Sequence, residues 1–297
     1  MPAPAAVHFA PAADHQLPLL QTWLPQAFLG RPRPLFLAGT HDSGATVAAA
    51  SLRRTEEGGQ ILGRFLLHVQ PDLRRRGLGT AMLRLLETRA RADGYDALLA
   101  GSAIDDSDLA TTRFFQRAGF APLRTIRQLR VEIASARTVT GSVCDRLARR
   151  GRIPDGQFAI VPLRQIHPDT AARFVLDHLG GIPESVRRPF NTPGTGYHPD
   201  LSLVLTIGDT LKAVLLATAT SRDHLSVSSR VVSPDCRRGW VNAVLLDTFL
   251  DRAAAAGHTT VDYEADTGLH AETVRMTAHG DGHCLGSRHL FGRLLRE

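Results

Sequence analysis

A short pattern written twice constrains this chain more than any other feature. Val69-Gln70-Pro71-Asp72-Leu73-Arg74 recurs as Val232-Ser233-Pro234-Asp235-Cys236-Arg237, both reading Val-x-Pro-Asp-x-Arg. Around each copy the hydrophobic periodicity predicts one succession: strand, helix, three strands, helix, strand, helix, strand. In the first half the strands are expected at Val7–Ala10, Leu35–Ala38, Thr46–Arg54, Ile61–Val69, Ala97–Ala100 and Leu123–Ile133. Helices are expected through Leu17–Phe28, from Ala81 to the Asp93-Gly94 stop, and over Leu109–Arg117. The second half repeats the order from Phe158–Pro162 to Leu290–Leu295, with helices over Asp169–Leu179, Ala243–Ala256 and Ala271–His279. Glu57-Gly58-Gly59 and Gly208-Asp209 mark hairpin turns; Pro32, Pro34 and the stretch from Pro183 to Pro199 mark loops. The expectation is an α/β (α+β) chain of two tandem units, each a mixed, mostly antiparallel sheet flanked by helices. Residues 1–137 and 157–297 are the expected domains and 138–156 the linker. At 297 residues, each domain is long enough for its own core.

Composition removes other classes. With 43% hydrophobic and 22% charged residues, the chain is neither disordered nor collagenous, and no run approaches the ~18 apolar residues of a membrane span. Met1 to Phe9 have no basic n-region and no long apolar core, so no secretory signal is expected. Three scattered cysteines, Cys144, Cys236 and Cys284, lack metal-ligand spacing and suit a reducing cytoplasm. The net charge of +6 suggests nucleic acid, but Lys212 is the single lysine, and so strong an arginine bias reads as codon usage. The exception is Arg113–Arg152, where ten arginines meet only Glu132 and Asp145. It is either a solvated helix and linker or a surface for a polyanion.

The chemistry lies in Val69–Leu83. A strand ends, a basic loop with Gly77 and Gly79 follows, and a helix begins at once. Such a junction aims unpaired backbone N–H groups and the positive end of a helix dipole at one place. Glycines let a phosphate approach those amides, and Arg74, Arg75 and Arg76 add charge. There is no Gly-Lys-Ser/Thr, and the helix follows three antiparallel strands, which excludes a P-loop and a dinucleotide-binding turn.

Val-x-Pro-x-x-Arg-x-x-Gly-x-Gly-x-x-x-Leu resembles, position by position, the coenzyme A-binding signature of the GNAT acyltransferase superfamily, and it sits on the fourth strand as it does there. Phe114-Phe115-Gln116-Arg117-Ala118-Gly119-Phe120 resembles that family's second signature. The resemblance implies two tandem GNAT folds and acetyl-CoA, or another acyl-CoA, as cosubstrate, with no metal. The pyrophosphate would lie on Arg74, Arg75, Arg76, Gly77, Leu78, Gly79 and Thr80, and the pantetheine arm would pair with the backbone around Val69. The acceptor would be a small-molecule or peptide amine, attacking the thioester directly while an N–H near Val69 polarises the carbonyl.

Departures from the family pattern fall on the proton-transfer groups. The tyrosine that many members place on the second-signature helix is Phe115 here, and a frequent asparagine is Asp108. The acid role is left to Ser107, to water or to no group. His68 is the candidate general base, against the alternative of a packed strand residue. Asp105 and Asp106 are either attractors for an amine or plain loop residues; Glu56 and Glu57 read as exposed turn residues.

In the second copy, counting from Arg237 puts Trp240 and Asn242 at the glycine positions. A tryptophan there would fill a pyrophosphate cradle, so this half is expected to be a degenerate copy that binds no CoA. His279, His283, Cys284 and His289 match no standard metal spacing and read as surface or strand residues. Three functions stay open: an N-acyltransferase working through the first half, a non-catalytic acyl-CoA-binding protein, or an aminoacyl-tRNA-dependent transferase using the arginines. The intact cradle counts against the last. Nothing in the sequence fixes the oligomeric state.

Overall fold

The alternating runs of the first half form its central hairpin, β3 (Thr46–Glu57) and β4 (Gln60–Val69), in unbroken register from Ala48 opposite Val69 to Glu57 opposite Gln60. A computed structural model describes residues 6–28, 33–57, 59–154, 156–179, 186–190, 196–237, 239–268, 271–279 and 281–295. Pro32, Gly58 and, in the loop from Pro183 to Pro199, residues 183–185 and 191–195 lie outside these residues, as do Arg238 and Gly280.

The chain divides into two units, Met1–Thr125 with Arg288–Glu297, and Ile126–Ser287. In the first, β1 (Val7–Pro11), β2 (Leu35–His41), β3 and β4 are successive antiparallel neighbours, and β5 (Ala97–Ala100) lies parallel to β4. Residues Gly292–Leu294 of β13 (His283–Leu294) then pair antiparallel with β5. The two-residue β6 (Ile104–Asp105) pairs with Arg288 and His289. Ala48, Ala49 and Ala50 keep β3 thin, so helices pack on both faces of it. On one face α2 (Leu78–Ala92) and α3 (Leu109–Arg117) bury Phe65, Met82, Leu86, Phe115 and Phe291. On the other, α1 (Leu17–Trp23) buries Leu20 against Phe36 and Ala49. Each such large apolar side chain contributes about 1.5–3 kcal/mol. Helix α2 stops where the sequence says. Gly94 is left-handed (φ 73°), with Tyr95 N–H donating to the Ala90 carbonyl and Gly94 N–H to that of Arg91.

The second unit repeats the plan. From β7 (Ala121–Glu132), of which Ile126–Glu132 pair with β12 (Thr260–Asp266), the order runs through β11 (His224–Val232), β10 (Thr210–Ala219) and β9 (Leu203–Ile207) to β8 (Phe158–Pro162). Only β11 and β12 are parallel among these pairs. Helices α5 (Pro168–Leu179), α6 (Trp240–Ala255) and α7 (Ala271–His279) complete the repeat. Residues 138–156, expected as a linker, are helical as far as Arg149 in α4 (Ile133–Arg149). That helix packs on α6 through Thr140 to Asp247 (2.8 Å) and Arg137 to Asp251 (2.6 Å). Residues 288–297, expected with the second half, group with the first unit. No helix among the described residues is long and apolar enough to cross a membrane.

Candidate active site

The parallel ladder between β4 and β5 is short. It runs from Leu62 opposite Ala97 to Phe65 opposite Ala100 and closes with Gly101 N–H donating to the Phe65 carbonyl. Beyond it Leu66–Val69 pair only with β3. The Ile61 and Phe65 carbonyls accept from Asp96 and Gly101 on the β5 side. Strand alternation therefore turns the main-chain groups of Leu67 and Val69 to that same side, past the last rung. The result is an open strand edge in a wedge, the form an extended amide chain can pair with.

The loop at the end of β4 is wound tightly. Pro71–Leu73 make one 3-10 turn, Arg74 donates through Nε to the Val69 carbonyl at 3.1 Å, and Arg75 adopts φ 64°. Gly77, at φ 85°, is the N-cap of α2, and no side chain caps the helix. The leading N–H groups of α2, on Leu78, Gly79 and Thr80, thus lack intrahelical partners. No acidic residue stands in the first turn, and Arg74, Arg75 and Arg76 are all exposed. A Cβ on Gly77 would meet nothing within 4 Å, leaving open space over these amides. Gly79 differs from expectation. A Cβ there would meet the ring of Phe114 at 3.2 Å, so this glycine also lets α2 approach α3.

His68 lies on the sheet face opposite α2 and α3, stacked on Trp23 of α1 with ring centroids 4.7 Å apart. Desolvation, reinforced by the charge of Arg74, lowers its pKa below 6.5, so the ring is neutral at neutral pH. Ser102, just past β5, donates to Gln26 at 3.3 Å on the same side. Trp23, Gln26 and Ser102 carry no site signal in the sequence, where Trp23 reads only as one more apolar residue of a helix. Ser107 donates its hydroxyl (2.5 Å) and its N–H (2.9 Å) to Asp105. Those bonds hold the Asp105 carboxyl below the usual carboxylate range and engage Ser107 in a turn. Asp108 caps α3 by accepting from Thr111 N–H. Phe115 is buried and stacked on Phe291, so a tyrosine oxygen has no counterpart there.

The second copy starts alike and then loses a residue. Arg237 donates to the Val232 carbonyl at 3.2 Å, as Arg74 does to Val69. Helix α6 then begins three residues after Arg237, whereas α2 begins four after Arg74. Gly239 is the N-cap with an extended φ of −104°, and Val241 stands where the first copy has Gly79. Trp240, expected in the cradle, packs on Phe158 with centroids 4.6 Å apart. Among the described residues no three His, Cys, Asp or Glu side chains gather as a metal site. His289 shares a hydrogen bond with Thr125, and the Cys284 thiol donates to the Gly286 carbonyl.

A short parallel ladder followed by a helix start without a side-chain cap occurs in both units, with the loop one residue shorter in the second. The comparisons give this arrangement a family. Residues 5–120 match the Acetyltransferase (GNAT) family, and this part of the chain is a GNAT acetyltransferase domain. A tandem GNAT protein from the clavulanic acid biosynthesis pathway superposes over 98% of this chain and 99% of its own, at 15% identity and TM-score 0.53. A GCN5-related N-acetyltransferase from Anabaena variabilis does so over 98% and 73%, at 13% identity and TM-score 0.63. The chain also matches, at 11% identity and TM-score 0.55, a glucosamine N-acetyltransferase region in a fungal multi-domain GH3 β-N-acetylglucosaminidase. It covers 38% of that longer chain, against 98% of its own length. A comparison with curated protein sequences returns no match. These superpositions show the tandem GNAT fold, and the matched family generally serves acyl-CoA-dependent transfer to an amine.

Proposed function

We propose that this protein is an acyl-CoA-dependent N-acyltransferase that works through its first unit on a small-molecule or peptide amine. The loop Arg74–Thr80 carries this reading, because open space, unpaired helix N–H groups and three exposed arginines coincide there beside a free strand edge. That combination fits a pyrophosphate followed by a pantetheine amide chain. The bound acyl-CoA supplies the activated thioester. The outward N–H of Leu67 or Val69 is placed to polarise its carbonyl. His68, neutral and facing the α1 side, is the base for the attacking amine, with Trp23, Gln26 and Ser102 lining its approach. No protein group is needed for the leaving thiolate, which is consistent with Phe115 in the core and with Ser107 held by Asp105.

Calorimetry with acetyl-CoA should show one site per chain. Charge reversal of Arg75 and Arg76 to Glu should weaken it at least about tenfold without changing the fold, since both side chains are exposed. Unchanged affinity would overturn the loop assignment. A panel of amines scored by thiol release separates transfer from mere binding. Saturable binding with no release on any amine would favour the non-catalytic reading, which the missing tyrosine supports.

A further inference from the structure

The second unit keeps a cleft of its own. Its parallel ladder also stops early, at Val227 opposite Tyr263, and β11 carries a bulge at Ser228, where pairing with β10 skips from Ser229 to Val227. A bulge at this point bends the strand away from its neighbour. Counting back two residues from Val232, before the bulge is reached, Arg230 holds the place that Leu67 holds in the first unit.

Under this wedge lies a cavity of about 220 Å³. Its walls are largely apolar, with Val139 of α4, Leu246 and Phe249 of α6, and Val261, and carry hydroxyls from Thr140, Ser228 and Ser229. Arg230 enters it from β11. One guanidinium nitrogen donates to Thr273 Oγ1 of α7 at 2.7 Å, and among the described residues no carboxylate pairs with it. Water reaches Arg230 through the mouth, yet protein encloses it enough for desolvation to pull its pKa below the usual arginine value.

The neighbouring groups do not neutralise it. Tyr263, its pKa raised by burial, stays a neutral phenol and is hydrogen-bonded to Thr277. Thr277 in turn donates to the Thr273 carbonyl. Asp262, on the other face of β12, is taken by Arg130 and His224. Glu264 is exposed at the rim, where it accepts from Gln128. A guanidinium offers five N–H donors in a planar fork that matches a carboxylate. A partly desolvated cation on a largely apolar cavity, with most of those donors not engaged by protein, is a ready partner for an anion.

We propose that the second unit binds a small amphipathic carboxylate, its apolar body in the cavity and its carboxylate on Arg230. The size agrees: the cavity is below the ~300–1,000 Å³ of sites for drug-sized ligands and suits a single ring or short chain. The site does not depend on acyl-CoA in the first unit, and Arg230 belongs to no part of that machinery.

The test uses the full chain with octanoate and 3-phenylpropanoate, each against its uncharged amide, read by calorimetry and by thermal midpoint. The acids should bind saturably and raise the midpoint, with the amides at least about tenfold weaker. Arg230→Met should abolish acid binding, leave acetyl-CoA binding intact and raise the ligand-free midpoint, because it removes an unpaired enclosed charge. Val139→Phe, which fills the cavity and leaves the charge, should also block the acids. Equal binding of acid and amide, no saturable acid binding, binding that survives Arg230→Met, a lowered ligand-free midpoint in that variant, or displacement of the acid by acetyl-CoA would each overturn the proposal.

Discussion

At the scale of single residues, the site rests on His68 being neutral for a physical reason. Its ring lies against Trp23, and both burial and the charge of Arg74 oppose protonation. The folded pKa therefore lies below the ordinary 6.5, the reverse of a histidine held by a carboxylate. Two consequences share this sign. Stability should fall as pH drops through 6.5 towards the folded pKa, since the unfolded chain binds the proton more readily. Turnover should rise with pH through a pKa below 6.5 and then stay level. His68→Gln should remove that acid limb and lower kcat by about 10²–10⁴, the usual worth of a positioned base. Its KM for acetyl-CoA should be unchanged, because His68 points away from α2. An acid limb that persists in the variant would return His68 to the strand-packing role that the sequence left open. Arg75 is a different case. Its left-handed φ of 64° is uncommon for a residue with a Cβ, costs about 1–3 kcal/mol, and fits the pattern of strain gathered in a ligand loop.

At the scale of elements, the start of α2 was legible in the sequence because each of its demands is local. A strand must end, a residue must take φ 85°, and a helix must begin without a side-chain cap; glycine and three arginines mark those needs directly. What Gly79 does was not legible, since its partner is the ring of Phe114, thirty-five positions away and on another helix. Counting residues also misaligned the second copy. A deletion of one residue in the loop moves Gly239 to the cap and Trp240 into the core, which spacing alone cannot show. The packing role of Gly79 makes a prediction distinct from a ligand-facing role. Gly79→Ala places a methyl 3.2 Å from Phe114 and should cost about 1–3 kcal/mol in urea unfolding. Phe114→Leu in the same chain should recover part of that loss, as a coupling between the two sites, with acetyl-CoA affinity near that of the wild type. If Gly79→Ala instead leaves stability unchanged and abolishes binding, the glycine faces the ligand after all. For the same reason, a bulky residue at position 79 is a poor probe of the cradle: it would disturb α3 first.

At the scale of the whole molecule, duplication and fold class were readable from two copies of Val-x-Pro-Asp-x-Arg and the element order around them. The division of the chain was not, because hydrophobic alternation tells a strand that it will pair but not with which partner. The last strand was expected in the second half, yet Gly292–Leu294 pair with β5, from Leu99 back to Ala97. The same segment carries much of the first unit's core. Phe291 is 1% exposed and stacks on Phe115, and Arg293 bonds to Glu87 and to the Ala118 carbonyl. Leu295 N–H donates to Asp96, while its carbonyl accepts from Arg91. A fragment of residues 1–137 would therefore expose the edge of β5 and leave a void beside Phe115, so it should aggregate or stay unfolded, although it holds the whole coenzyme A signature. The conservative version of this test keeps the chain intact. Phe291→Ala should cost about 3–5 kcal/mol, as large-to-small changes in a close-packed core do. It should weaken acetyl-CoA binding in proportion to the unfolded fraction, and Phe291→Leu should restore most of both. Urea melts of the two variants, with affinity measured on the same samples, decide the matter. A well-folded, CoA-binding 1–137 fragment, or a Phe291→Ala chain as stable as the wild type, would show that the first unit closes without the C-terminal strand.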